Sequence, residues 1–198
     1  MTIDPVELVA TAREEARRRQ DPQADVCFLV TVGAGGRPEA RPVSLRDVDG
    51  DGFGLLLNER SLKWRQIETA GQCSLTILWS SVGRQYRVYG ELRSMRAERL
   101  RFWWDRKGLG SRLLEHYYDA YAAQSEPVAS REAFLAGIAE LGRRYPDAAS
   151  VPPPPGLRGV CLWPTAIDVW HSSPADRLHD RRLFTRSGDG WTFETLVP

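Results

Sequence analysis

The order in which the hydrophobic patterns change period along the chain most constrains its fold. Much of the first half and the C-terminal part consist of short apolar or alternating segments separated by turn residues, which is typical of β-strands. Between about residues 96 and 146, apolar residues recur at helical spacing. Strands and helices do not alternate, which disfavours a parallel sheet. The sequence therefore predicts an α+β fold with an antiparallel barrel of about seven strands.

An N-terminal helix is predicted to precede one larger domain. Asp4 can cap the first turn and Pro5 suits the first helical position, so a helix is expected over residues 1–20. The 198 residues are enough to bury a substantial core. The larger domain is expected to span residues 21–198. It would contain a helical insertion at about 96–146 and a Pro-rich connector at 151–156.

Composition and charge exclude several classes of function. Lys+Arg 27 against Asp+Glu 26 gives a formal net charge of +1, without the broad basic surface of a nucleic-acid binder. The sequence has no signal-peptide pattern and no stretch near the roughly 18 apolar residues of a membrane span, so we expect a cytoplasmic protein without a membrane partner.

Cys27, Cys73 and Cys161 stand in apolar segments and are expected to be buried, reduced thiols. Only three histidines are present and none are at ligand spacing, so no metal site is expected.

Several basic residues stand where folding does not require them. In the segment from Arg177 to Arg181, the alternation of an extended chain would put Arg177, His179 and Arg181 on one side. Arg41 and Arg46 are five positions apart and would lie on opposite faces of a regular strand. Taken singly, such residues are more often solvated surface groups than parts of a site.

Five pieces of sequence nevertheless form an ordered pattern. They are Arg41-x-x-x-Leu45-Arg46, Asn58-x-x-Ser61-x-Lys63, Trp79-x-x-x-x-Arg84-Gln85-x-x-Val88-x-Gly90, Gln124-Ser125, and Trp170 followed by Arg177-Leu178-His179-Asp180-Arg181. This pattern resembles the pyridoxamine 5′-phosphate oxidase family of flavoproteins over nearly the whole chain. The resemblance implies an FMN-binding antiparallel split β-barrel with peripheral helices. It also implies a homodimer with FMN at the subunit interface.

The resemblance assigns seven residues to FMN. They are Arg41 and Lys63 at the phosphate, Gln85 at the flavin ring, Gln124 and Ser125 reaching the cofactor across the subunit interface, and Trp170 and Arg181 flanking the flavin. Two fixed cations are suitable partners for a phosphate dianion, because charge-assisted contacts are strong.

A second group of residues is assigned to the substrate by the same resemblance. Arg46, Trp103, Lys107 and Ser111 match the four that grip the substrate phosphate, and Arg177 and His179 match the pair over the pyridine ring. Three of the four depart from the family pattern, which has Lys, Tyr and Arg where this chain has Arg46, Trp103 and Lys107. Leu62 also stands where the family commonly has Arg.

The implied activity is an FMN-dependent oxidase that converts pyridoxamine or pyridoxine 5′-phosphate to pyridoxal 5′-phosphate. A hydride passes from the substrate C4′ carbon to flavin N5, and O₂ reoxidises the flavin. Arg177 would position the substrate and assist proton removal, and His179 would orient the ring. One alternative is a related oxidase for another small aromatic or dihydroaromatic metabolite, as in phenazine biosynthesis. Another is a non-catalytic split-barrel protein that binds flavin, haem or pyridoxal phosphate.

Overall fold

The computed structural model describes residues 3–198, which group into two compact units. The first, called the sheet unit, runs up to Leu55 and includes Ala70–Arg93 and Cys161–Pro198. The second, called the helical unit, comprises Leu56–Thr69 and Ser94–Val160. That residues 21–198 form a single domain stays a prediction.

The helices begin where the sequence offers caps. Within residues 3–198 they are α1 (Pro5–Arg18), α2 (Leu62–Ala70), α3 (Ala97–Trp104), α4 (Leu109–Ala120) and α5 (Arg131–Arg144). The Asp4 carboxylate accepts from the Val6 N–H at 2.8 Å, and Pro5 opens α1. The Ser130 hydroxyl accepts from the Ala133 N–H at 3.1 Å at the start of α5. Helices therefore occur at both predicted places, α1 within residues 3–20 and α3 to α5 within 96–146, while residues 1 and 2 of the first prediction lie outside the described residues.

The described part of the chain contains nine strands rather than about seven. They are β1 (Val26–Val32), β2 (Pro38–Ser44), β3 (Val48–Asp49), β4 (Gly52–Asn58), β5 (Cys73–Trp79), β6 (Arg84–Ser94), β7 (Leu157–His171), β8 (Asp180–Ser187) and β9 (Gly190–Thr195). The two-residue β3 is too short to show a hydrophobic period, so the sequence pattern missed it.

Strand order follows β2-β1-β5-β6-β7-β4-β3, and β8 pairs with both β7 and β9. The pairs β1–β2, β1–β5, β5–β6, β7–β8 and β8–β9 are all antiparallel. The hairpin of β8 and β9 closes between Ser187 and Gly190, as its turn residues predict. An antiparallel sheet in an α+β fold is thus confirmed.

Each unit buries its own apolar residues. In the sheet unit β1 alternates, with Cys27, Leu29 and Thr31 pointing inward. The core of the helical unit consists of Trp104, Leu113, Tyr117, Leu141, Val151 and Leu157. The Trp104 indole N–H donates to the Val151 carbonyl at 3.0 Å, which satisfies the polar edge of a fully buried ring. No helix within residues 3–198 is long and apolar enough to cross a bilayer.

Cys27, Cys73 and Cys161 form no disulfide within residues 3–198. Cys27 and Cys161 are buried, whereas Cys73 is half-buried. Burial raises the pKa of Cys27 to about 12 and that of Cys73 to about 11. Both thiols are therefore protonated at neutral pH and are poor nucleophiles.

Candidate active site

The segment from Arg177 to Arg181 is not the extended strand that its alternation predicts. The Ser173 hydroxyl donates to the Asp176 carboxylate at 2.6 Å, and that carboxylate also accepts from the Leu178 N–H at 2.9 Å. Arg177 has a left-handed backbone, with φ of 62°, and its N–H donates to the Ser173 carbonyl. Strand β8 begins only at Asp180. The predicted single face for Arg177, His179 and Arg181 is therefore wrong, because the Ser and Asp side chains stabilise a turn here.

The turn fixes the orientation of His179. The Ser173 N–H donates to His179 Nδ1 at 3.0 Å, and the imidazole packs against the Trp170 ring at 4.6 Å between centroids. Because Nδ1 accepts a hydrogen bond, the proton of the neutral ring is on Nε2. His179 therefore presents a donor rather than a base to a neighbouring ligand.

Arg181 forms an ion pair with Asp168, a residue outside the five-part sequence pattern. Its Nε donates to Asp168 Oδ1 at 3.1 Å and its Nη2 to Oδ2 at 2.8 Å. The Asp168 side chain is only 7% exposed, and Arg87 lies 3.9 Å from Oδ2. Hydrogen bonding and the charge of Asp168 raise the pKa of Arg181. The positive charge of Arg181 is thus largely neutralised within the protein.

Arg177 differs from Arg181 in having no acidic partner. It is exposed, and its guanidinium makes no hydrogen bond or ion pair with any residue from 3 to 198. Its five N–H groups remain available for a ligand.

Arg41 and Gln85 occupy positions on the strands of the sheet unit. Arg41 lies on β2 opposite Leu29 of β1, and its guanidinium donates to the Leu29 carbonyl and the Thr31 hydroxyl. It also contacts the Glu39 carboxylate at 3.2 Å. Gln85 is the second residue of β6 and is half-buried.

Lys63 and Gln124 meet within the helical unit. Lys63 lies in the first turn of α2, behind the capping hydroxyl of Ser61, and is buried. Its ammonium donates to the amide oxygen of Gln124 in the same chain. Ser125 follows with a left-handed backbone, with φ of 75°, and is exposed. The structure thus brings together two residues that the resemblance assigns to FMN.

The donors around Lys63 have the chemistry that an FMN phosphate requires. A buried ammonium in the first turn of a helix, held by a neutral amide oxygen, is suited to an anion because the backbone N–H groups there also favour negative charge. The residues around Lys63 therefore fit a phosphate-bearing cofactor.

Of the four residues predicted at the substrate phosphate, three lie in the helical unit. Trp103 ends α3 with Trp104, Lys107 lies between α3 and α4, and Ser111 is exposed in the first turn of α4. The Lys107 ammonium contacts the Glu115 carboxylate at 2.5 Å, and both side chains are largely buried. The sequence-predicted phosphate ligand Lys107 therefore already has an anionic partner.

Arg46, the fourth residue, belongs to the sheet unit. β2 ends at Ser44, so the strand alternation that would set Arg46 against Arg41 does not reach it. Instead the Arg46 N–H donates to the Gly54 carbonyl at 2.8 Å, and its carbonyl accepts from Arg13 at 3.2 Å. The placement of Arg41 and Arg46 on opposite faces of one regular strand is thus wrong.

Sequence reasoning missed carboxylates that pair with predicted ligands, among them Asp168 and Glu115. Asp168 was detectable, since a lone acid within the apolar run Ala166–Val169 is costly to bury without a cation. Glu115 carries no such signal, because it stands among other polar residues of a helix.

Two family profiles match the chain. One is described as "Pyridoxamine 5′-phosphate oxidase" and matches residues 13–144, which is more than half of the chain. The other is described as "Pyridoxine 5′-phosphate oxidase C-terminal dimerisation region" and matches residues 158–198. The chain belongs to the pyridoxamine 5′-phosphate oxidase family.

Relatives of this family are similar over almost the full length. A protein named pyridoxine/pyridoxamine 5′-phosphate oxidase from Myxococcus xanthus (strain DK1622) is 32% identical over 196 residues, covering 98% of this chain and 92% of the relative. One of the same name from Burkholderia cenocepacia (strain HI2424) is 35% identical over 189 residues, covering 93% and 85% respectively.

Solved structures share the fold. PhzG from Burkholderia lata 383, in complex with tetrahydrophenazine-1-carboxylic acid, matches with a TM-score of 0.83 at 24% identity, covering 98% of this chain and 93% of that one. A pyridoxamine 5′-phosphate oxidase-related, FMN binding protein from Nostoc punctiforme PCC 73102 matches with a TM-score of 0.74 at 18% identity and full coverage of both chains.

Membership in the pyridoxamine 5′-phosphate oxidase family confirms the resemblance inferred from the sequence. The split-barrel α+β fold class is confirmed as well. The protein is an FMN-dependent oxidoreductase, with FMN as its cofactor. The roles of individual residues stay predictions.

Proposed function

We propose that the protein oxidises pyridoxamine or pyridoxine 5′-phosphate to pyridoxal 5′-phosphate. The observation that carries this proposal is the arrangement of His179, which packs on Trp170 with its Nδ1 held by the Ser173 N–H. Such an imidazole offers one directed donor, Nε2–H, beside an aromatic surface. This chemistry suits the orientation of a flat heterocyclic substrate. The relatives named pyridoxine/pyridoxamine 5′-phosphate oxidase support the same substrate class.

FMN, when bound, supplies the chemistry of the step by accepting a hydride from the substrate carbon and passing electrons to O₂. Arg41 and Lys63 would hold its phosphate, Gln85 would contact its ring, and Trp170 would flank it. Gln124 and Ser125 would contact the cofactor across the subunit interface, and Gln124 would also position Lys63 of its own chain through the hydrogen bond described above.

Arg177 and His179 would act on the substrate in different ways. Arginine remains protonated in proteins, so Arg177 cannot accept a proton; it would instead bind the substrate oxygen or nitrogen at C4′ and stabilise it while its proton passes to water, since Arg177 is exposed. His179 would donate from Nε2 to a ring oxygen or nitrogen and so fix the plane of the ring. Arg181 would act mainly by holding β7 and β8 in position, because Asp168 already neutralises it.

Arg46, Trp103, Lys107 and Ser111 would contact the substrate phosphate. The other expected partners are O₂ and a second copy of the chain, with FMN at the subunit interface. The match of residues 158–198 to a dimerisation region supports this homodimer.

The proposal is tested with purified protein loaded with FMN. We expect a flavin absorption spectrum, bleaching of that spectrum by pyridoxamine 5′-phosphate under anaerobic conditions, and hydrogen peroxide together with pyridoxal 5′-phosphate in air. Arg177→Ala should bind FMN as the wild type does and oxidise the substrate more slowly. Tight flavin binding without any bleaching by this substrate or by pyridoxine 5′-phosphate would refute the proposal.

A second candidate function is the oxidation of another small aromatic or dihydroaromatic metabolite that carries no phosphate. It is favoured by one observation, the ion pair between Lys107 and Glu115. PhzG, which has a similar fold, was crystallised with a tricyclic carboxylic acid rather than a phosphate ester. Anaerobic bleaching by a dihydrophenazine carboxylic acid, with none by pyridoxamine 5′-phosphate, would select this candidate.

A further inference from the structure

The ion pair between Lys107 and Glu115 lies among buried residues of the helical unit. The side chains are 9% and 13% exposed, and Lys107 Nζ lies 2.5 Å from Glu115 Oε1. The buried Arg112 donates from Nε to the Lys107 carbonyl at 2.9 Å and also bonds the Ala148 carbonyl, which fixes the segment before α4. The pair is therefore part of the packed structure and not a contact between mobile surface groups.

The second oxygen of Glu115 is unused. Oε2 is buried and accepts no hydrogen bond from any residue between 3 and 198. A buried carboxylate oxygen without a donor is unfavourable, and a ligand hydroxyl or ammonium could satisfy it. Burial and the negative charge of Glu115 raise the pKa of the neighbouring Tyr118 to about 12, so this phenol stays protonated at neutral pH.

A phosphate ester that approaches Lys107 meets this carboxylate. The dianion would lie within a few ångströms of Glu115 and would have to share or displace its cation, and like charges brought together at a site are strongly disfavoured. At neutral pH a phosphate ester also has almost no donor to offer to Glu115 Oε2, whereas a free hydroxymethyl or aminomethyl group has one.

We propose that Glu115 is a specificity-determining residue that shares Lys107 with the substrate phosphate, weakens the preference for a phosphate group, and lets ring substrates with a hydroxyl or amine donor bind at that position. This inference rests on the proposed function, since it takes Lys107 as part of the substrate pocket. The wild-type protein then accepts unphosphorylated pyridoxamine or pyridoxine about as well as the phosphate esters.

The test compares phosphorylated and unphosphorylated ligands in wild-type protein and in Glu115→Gln, which keeps the shape of the side chain and removes its charge. Quenching of tryptophan fluorescence gives Kd values for pyridoxal 5′-phosphate and pyridoxal with FMN bound, and kcat/KM is measured for pyridoxamine 5′-phosphate and pyridoxamine. We expect wild-type Kd values for the two ligands to agree within about tenfold. In Glu115→Gln the Kd for pyridoxal 5′-phosphate should fall by about 10- to 100-fold, with little change for pyridoxal.

The matched control is Glu68→Gln, which removes an exposed carboxylate of α2 in the same unit and should leave both Kd values unchanged. A wild-type preference for pyridoxal 5′-phosphate over pyridoxal of more than about 100-fold would overturn the inference, and this measurement needs no variant to fold. An unchanged preference in folded Glu115→Gln would also overturn it.

These outcomes are separate from those of the proposed function. Oxidation of pyridoxamine 5′-phosphate with a strong phosphate preference supports the function and rejects the role of Glu115. Binding of pyridoxal 5′-phosphate that tightens in Glu115→Gln, without flavin bleaching by any of these compounds, supports the role of Glu115 and rejects the function.

Discussion

Among the ion pairs that involve a cation predicted to meet a ligand, Arg181–Asp168 in the sheet unit and Lys107–Glu115 in the helical unit are built differently. In the sheet unit, Arg181 uses two nitrogens to bind both oxygens of Asp168 across the paired strands β7 and β8. In the helical unit, Lys107 binds a single oxygen of Glu115, and the other oxygen has no donor within residues 3–198. The first pair has no carboxylate oxygen left for a ligand, whereas the second has one.

Burial also separates the two pairs. The Arg181 side chain is 26% exposed and can be partly solvated without its partner, whereas Lys107 and Glu115 are both largely enclosed. A cation near a candidate site is therefore informative about function only when its partner, its geometry and its burial are considered together.

The largest stability effect is expected for Lys107→Met. This change leaves the buried Glu115 carboxylate without a cation, which should lower the free energy of unfolding by about 3–5 kcal/mol. Urea unfolding followed by tryptophan fluorescence measures it. The control is Lys107→Met combined with Glu115→Met, which removes both charges and should recover most of the loss. Equal stability of the single and double variants would show that the pair is not formed in solution.

Asp168→Ala should have the next largest effect. It leaves Arg181 unpaired, but this side chain retains access to water, so we expect a loss of about 2–3 kcal/mol in the same urea experiment. Asp180→Ala removes the partner of Arg182 in an exposed pair, and its loss should stay below about 1 kcal/mol. A similar small loss for both variants would contradict a stabilising role for the bidentate pair.

Local signals in the sequence predicted much of the fold. Asp4, Pro5 and Ser130 mark helix starts through their own chemistry, and the apolar, β-branched run Val26–Val32 predicts a strand. The resemblance to the family added the cofactor, which composition and periodicity cannot supply, because FMN recognition depends on residues far apart in the sequence.

The ion pairs could not be predicted in the same way. Lys107 and Glu115 are eight residues apart and are separated by the start of α4, a spacing with no regular helical contact. The turn at Ser173–Asp176 also escaped the alternation rule, because side-chain hydrogen bonds determine its backbone and not a hydrophobic period.

If Arg181 mainly stabilises the fold, His179 should contribute more than Arg181 to the rate of substrate oxidation. His179→Ala removes the Nε2 donor and should lower kcat/KM of the FMN-loaded enzyme by about tenfold, with little change in the free energy of unfolding. Arg181→Lys should show the reverse, losing stability because lysine cannot form the bidentate contact. Steady-state hydrogen peroxide production and urea unfolding separate the two cases. A larger kinetic loss for Arg181→Lys than for His179→Ala would reverse the assignment.

The smallest effect on stability is expected from substitutions of Arg177, whose guanidinium has no carboxylate partner within residues 3–198. Its removal breaks no ion pair, and its left-handed backbone is one that glycine adopts without a steric penalty. Arg177→Gly should therefore be more stable than Arg177→Ala by about 1 kcal/mol, although both lose the guanidinium and should be equally impaired in substrate oxidation. Urea midpoints and rates of anaerobic flavin bleaching test the two parts. Equal stability of the alanine and glycine variants would show that Arg177 does not adopt the left-handed conformation in solution. Arg177 and Arg181 would then differ only in that Arg181 has a carboxylate partner.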